Sequence, residues 1–145
     1  MSERSSRASG RRRTVPAPQL QLRIRVRVGD VVAVGPGKIA LLGAVREHGS
    51  ISAAARSLDM SYRRAWLLLD ELNRSLASPA TVTAQGGRRG GGAQVTASGE
   101  ALLALYRRIE DDALAATRRD AARLLRMVAK PGAAGPGSGR DPDPD

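Results

Sequence analysis

Three observations predict a mainly α-helical chain with small β-hairpins. Aromatic residues are almost absent, with one Trp, two Tyr and no Phe in 145 residues, so a core must come from Leu, Val, Ile and Ala, which suits close-packed helices. Apolar residues recur at helical spacing through residues 38–48, 51–58, 62–78 and 98–130. Short alternating or β-branched runs bounded by Gly and Pro interrupt them at 20–34 and 80–95. The length and a 41% apolar content allow one compact domain plus tails.

The chain is organised around residues 49–76. Ser50 or Ser52 can cap a short helix whose Ile51, Ala54, Ala55 and Leu58 share one face. Asp59, Met60 and Ser61 break that pattern, and Ser61 is placed to cap a second helix over 62–78, which Pro79 stops. Ala65, Leu69, Leu72 and Leu76 should point inward with Trp66 beside them, while Arg63, Leu67, Asp70 and Arg74 form an outer face. The small Ala53, Ala54 and Ala55 let the two helices cross closely, as a helix-turn-helix requires.

Residues 1–18 hold little to bury and read as a disordered basic arm. From 20 to 28, Leu20, Leu22, Ile24, Val26 and Val28 alternate with Gln21, Arg23, Arg25 and Arg27, the pattern of a half-buried strand. Gly29 and Asp30 turn it into Val31 to Val34, and the arginine face reads as one that keeps an exposed sheet wet, with a position near phosphate as the alternative. Gly35-Pro36-Gly37-Lys38 lacks the upstream Gly and the following Ser or Thr of a phosphate-binding loop, so it starts a helix instead, with Ile39, Leu42 and Val45 inward and His48 and Gly49 at its end.

Beyond Pro79, residues 80–84 and 93–95 read as two strands joined by a glycine-rich loop, the wing of a winged helix-turn-helix. The wing, 85–92, carries Arg88 and Arg89 at its tip for phosphate or a narrow minor groove. Thr96 or Ser98 can cap a long helix over 98–130, where Leu102, Tyr106, Ile109 and Ala113, then Leu124 after a phase shift, form an apolar seam for a dimer. Tyr106 is assigned to this seam and Trp66 to the core. Residues 131–145 read as a disordered tail. The architecture is therefore an arm at 1–18, a winged helix-turn-helix with an N-terminal hairpin at 19–97, a long C-terminal dimerisation helix at 98–130, and the tail.

A formal net charge of +10, about +7 of it in residues 1–29, favours a polyanion partner. The absence of cysteine removes disulfides and thiolate metal sites, and no apolar run reaches membrane-spanning length, so a cytoplasmic protein without membrane contact is expected. The single histidine, His48, has no ligand or nucleophile at suitable spacing. Neither an enzyme, a metal site nor a cofactor is expected.

The partner expected is double-stranded DNA. Tyr62, Arg63, Arg64 and Leu67 should enter the major groove, while Ser52 and Ser61 bond phosphates. A sequence-indifferent architectural DNA-binding protein is the alternative, using the same charge, arm and wing.

The run from Gly49 to Ala55, the motif Ser61-Tyr62-Arg63-Arg64-Ala65-Trp66, the glycine-arginine stretch at 86–92 and residues 96–103 resemble the N-terminal domain of ModE-type molybdate-responsive transcription regulators. The helix-turn-helix alone is also similar to LysR-type regulators. The resemblance covers about residues 20–115 and implies a DNA-binding homodimer controlling molybdate-uptake or molybdenum-enzyme genes. Full-length members carry a pair of small C-terminal β-rich domains that bind the oxyanion, whereas low-complexity sequence follows the long helix here. The expectation is a stand-alone DNA-binding form whose signal comes from a separate molybdate-sensing partner chain, from its own abundance, or from nowhere.

Overall fold

The computed structural model describes residues 16–84 and 92–128. A compact unit spans Gln21–Thr117, and the residues on either side of it group separately. The arm as far as residue 15, the wing loop 85–91 with Arg88 and Arg89, and the tail 131–145 lie outside the described residues.

The elements run β1 (Val26–Val28), β2 (Val31–Val34), α1 (Pro36–His48), α2 (Ile51–Ser57), α3 (Tyr62–Ser75), β3 (Thr81–Ala84), β4 (Gly92–Val95), α4 (Ala97–Ala116) and α5 (Arg118–Met127). Each strand pair is an antiparallel two-stranded hairpin. The fold is mainly α with small β-hairpins, as the composition predicts.

Local chemistry accounts for the helix boundaries. Pro36 opens α1, and Gly49 closes it at φ 72, in the left-handed region where a side chain is disfavoured. The side chains of Ser50, Ser61 and Thr96 accept the backbone N–H of Ala53, Arg64 and Gly99, capping α2, α3 and α4. Between α2 and α3 the chain reverses through Asp59 at φ 55, a conformation that short polar side chains tolerate.

Two clusters make the core. Leu41, Ala44 and Val45 of α1 meet Ile51, Ala54 and Ala55 of α2, Ala65 and Leu69 of α3, and Ala93 of β4. Ala54 and Ala65 are fully buried, so the small side chains do set the crossing of the helices. The second cluster joins Ala33, Val34, Leu42, Leu72, Ala80 and Tyr106. Burying a leucine such as Leu42 or Leu72 stabilises the fold by roughly 1.5 to 3 kcal/mol.

Several expectations are corrected. The strand over 20–28 shrinks to Val26–Val28, because β2 offers only four residues to pair with and the register slips between Val26 and Arg27. Val26, Arg27 and Val28 are all exposed, so the half-buried alternation does not reach the paired strand. Helix α3 ends at Ser75 and not near residue 78: the Asn73 side chain accepts the N–H groups of Ala80 and Thr81, drawing the chain back into β3. The run over 98–130 is divided at Thr117, whose hydroxyl donates to the Ala113 carbonyl at 2.7 Å. Trp66 is 44% exposed and outside the core. Tyr106, expected in a dimer seam, is buried in the core of its own domain.

Candidate nucleic-acid interface

Helix α3 presents three distinct faces. Ala65 and Leu69 are buried against α1 and α2, and Leu72 in the cluster with Leu42 of α1 and Tyr106 of α4; because successive residues turn by about 100°, Arg63, Leu67 and Arg74 emerge on the opposite side. Arg63 and Leu67 are exposed there, and Tyr62, at the start of the helix, is exposed toward the α2–α3 junction. Arg74 is held along the helix by Asp70 at 3.0 Å, four residues earlier. The outer face therefore offers an apolar side chain beside a guanidinium that has no ion-pair partner among the described residues, a set able to read a base edge and a thymine methyl.

The turn adds hydroxyl and guanidinium groups beside that face. Tyr62, Ser52, Arg56 and Asp59 border one shallow recess over the α2–α3 junction. Ser52 is exposed, and the Ser61 hydroxyl, which accepts the N–H of Arg64 as a cap, still has its own proton to donate. Arg56 was not singled out from sequence; its signal was only a basic residue in the last turn of α2.

Arg64 is separated from the other expected DNA-reading residues. It lies on the flank of α3 and borders a cleft shared with Arg23, Arg25, Lys38 and Glu71. Lys38, unremarked in the sequence beyond its failed loop motif, is buried; its ammonium donates to the Val32 carbonyl at 2.6 Å and pairs with Glu71 at 3.3 Å. On the other flank, Trp66, Asp70, Asn73 and the strand residues Thr81 to Thr83 border a second cleft between α3 and the hairpin β3–β4.

The root of that hairpin is fixed by hydrogen bonds. Asn73 Nδ2 donates to the Thr81 hydroxyl at 3.1 Å, in addition to the two backbone N–H groups its carbonyl oxygen accepts. Thr96 donates its hydroxyl to the Pro79 carbonyl and its N–H to Ala80, while Ala93 N–H donates to Gly49 at the end of α1. The two strands of the hairpin are thus anchored on one side of α3.

Of the residues expected at a dimer seam, Tyr106 is consumed by the core and Leu102 packs partly against it. Ile109 and Leu124 are exposed and Ala113 is half-buried; Leu105, also exposed, joins Ile109 on α4. Among the described residues no group of three or more His, Asp or Glu could hold a metal ion, and no helix is long and apolar enough to cross a membrane.

The chain is 47% identical over 77 residues to the molybdenum-pterin-binding protein MopB of Rhodobacter capsulatus, covering 53% of this chain and 28% of that one. It is 38% identical over 92 residues to the molybdenum transport protein ModE of Azotobacter vinelandii, covering 63% and 34%. It is 32% identical over 88 residues to the DNA-binding transcriptional dual regulator ModE of Escherichia coli, covering 61% and 34%. The matched stretch is homologous to ModE-type regulators. The chain spans about a third of the length of these curated relatives. No family model matches it. Among solved structures, the CbnR DNA-binding domain in complex with DNA aligns with a TM-score of 0.47 and 27% identity, over 61% of this chain and 95% of that one.

Proposed function

We propose that this chain is a sequence-specific DNA-binding transcription regulator of molybdate-uptake or molybdenum-enzyme genes. The observation that carries the DNA reading is the free surface of α3, where Arg63 and Leu67 stand exposed on the outer face, with Tyr62 exposed at its start, on a helix whose other face is locked into the core. The name of the Escherichia coli relative supports the regulatory role, and the molybdenum in the names of the Rhodobacter capsulatus and Azotobacter vinelandii relatives supports the target genes.

In this reading the first turns of α3 enter the major groove and Arg63 pairs with a guanine edge. Ser52 and Ser61 hold phosphates beside the turn, while Arg88 and Arg89, at the centre of the segment joining β3 to β4, reach the backbone or minor groove. Two copies pair through α4, where Leu102, Leu105, Ile109 and Ala113 fall within about 80° of one another around the helix. Pairing fixes the spacing of two reading helices on a two-fold site.

The test is a titration of the purified chain against duplexes from upstream of its own and molybdate-uptake genes and against scrambled duplexes, at two salt concentrations, with and without molybdate. The expected result is a strong preference for a native duplex that molybdate does not change. Equal binding to all duplexes would favour the sequence-indifferent architectural role, and a preference that requires molybdate would mean that the chain responds to the oxyanion itself.

A further inference from the structure

We propose that the cleft on the Arg64 flank of α3 holds a backbone phosphate of the DNA, gripped by Arg23, Arg25 and Arg64. The inference rests on the DNA-binding reading and extends it to residues preceding β1.

The cleft gathers four cations, Arg23, Arg25, Lys38 and Arg64, with one carboxylate, Glu71. Lys38 is already committed to Glu71 and to the Val32 carbonyl, so the carboxylate is matched by the buried amine. Among the described residues the three arginines have no ion-pair partner, and all three are exposed. Gathering three unopposed like charges costs free energy that an anion between them reverses, whereas a solubilising role is served equally well by charges spread apart.

The backbone adds to the same potential. Gly35 caps α1 without any side-chain hydrogen bond, and Pro36 has no N–H, so the N–H groups of Gly37 and Lys38 open the helix toward this cleft with its positive dipole end. A Cβ built on Gly35 would lie 3.7 Å from Arg25 Cγ, so the stem of Arg25 runs directly over this helix start.

Position relative to α3 selects a DNA phosphate over a free anion. A helix about 10 to 12 Å across nearly fills a major groove about 12 Å wide, so a sugar-phosphate wall stands on each side of it. With Arg63 and Leu67 toward the bases, one wall faces the Trp66 flank and the β3–β4 hairpin, and the other faces Arg64 and the cleft. The arginines that alternate with Leu22 and Ile24 therefore contact the backbone.

The test uses the full chain, the double variant R23Q/R25Q, and a control, R46Q/R107Q, that removes two charges from exposed positions on α1 and α4. Each is titrated against a preferred duplex over a range of salt, and against a set of duplexes carrying single neutral methylphosphonates. For R23Q/R25Q the expected result is a salt slope flatter by about 1, as loss of one neutralised phosphate requires, with about a tenfold loss of affinity near 0.1 M salt. At least one methylphosphonate that weakens the wild type should no longer weaken this variant, while preference for the native duplex is kept.

An unchanged slope and methylphosphonate profile in R23Q/R25Q would overturn the proposal, as would an equal effect from R46Q/R107Q. Binding of inorganic phosphate that R23Q/R25Q abolishes while its DNA profile stays unchanged would overturn it in favour of a free oxyanion site. A wild type that binds no DNA would instead remove the underlying reading, an outcome visible before any variant is measured.

Discussion

The hydroxyl of Tyr106 donates to the carbonyl of Ile24 at 2.7 Å, across 82 residues of chain. It ties the middle of α4 to the segment preceding β1, where no strand partner satisfies the backbone, and it does so inside the second core cluster. Tyr106→Phe keeps the ring and removes the donor, leaving a part-buried carbonyl unpaired. We expect a loss of about 1 to 2 kcal/mol in denaturant unfolding at neutral pH.

The same phenol predicts an alkaline limit. Burial pushes its pKa above the usual 10.0, the carboxylate of Glu110 adds to this, and Arg25 opposes it. With the folded value above the unfolded one, the contribution is complete below pH 10 and is lost as pH rises through the folded value. Denaturant midpoints measured from pH 8 to 11 should fall more steeply for the wild type than for Tyr106→Phe; parallel curves would refute the assignment.

Asn73 is the clamp between α3 and β3. Asn73→Leu leaves the N–H groups of Ala80 and Thr81 without their acceptor and should cost about 1 to 3 kcal/mol. Asn73→Asp preserves an acceptor for both, and its second oxygen can accept the Thr81 hydroxyl, so it should retain most of the stability at neutral pH. Equal thermal destabilisation by the two variants would show that shape, and not hydrogen bonding, holds the root of the hairpin.

Two glycines should respond with opposite sign. A methyl group at Gly99 would collide with the Ala80 carbonyl oxygen and with Val95, both in the tightly bonded root of the hairpin, so Gly99→Ala should destabilise by about 1 to 3 kcal/mol. Gly43 lies within α1 with open space around it, and Gly43→Ala should stabilise by about 0.5 to 1 kcal/mol. Melting temperatures moving in the same direction would contradict this.

What could be read from the sequence was local. Ser50, Ser61 and Thr96 announce their helices because a cap acts over three residues, and Ala65, Leu69 and Leu72 announce the inward face of α3 because periodicity is a property of the helix itself. The alternation from Leu22 to Arg25 survives as alternating exposure even without a paired strand. Long-range partners were not legible. Nothing about Asn73 in a helical run says that it reaches Ala80, nothing about Tyr106 says that it reaches Ile24, and Lys38 is buried because Val32 and Glu71 wait for it. Trp66 was placed inward because it follows Ala65, yet one residue is a quarter turn, enough to move it to the flank facing β3.

With Tyr106 in the core and Leu102 half-covered, the apolar surface left on α4 centres on Leu105 and Ile109, each 53% exposed. A charge at Ile109 would have to be desolvated in a paired interface, but costs little on a helix surface in water. Ile109→Glu should therefore leave helix content and core packing intact while converting a dimer to monomer in sedimentation, and should weaken binding to a two-fold duplex far more than to a single half-site. Tyr106→Phe, which lies within the domain, should weaken folding without changing the subunit number at equal folded fraction. A wild type that sediments as a monomer, or an Ile109→Glu variant that stays dimeric, would move the pairing surface off this face of α4.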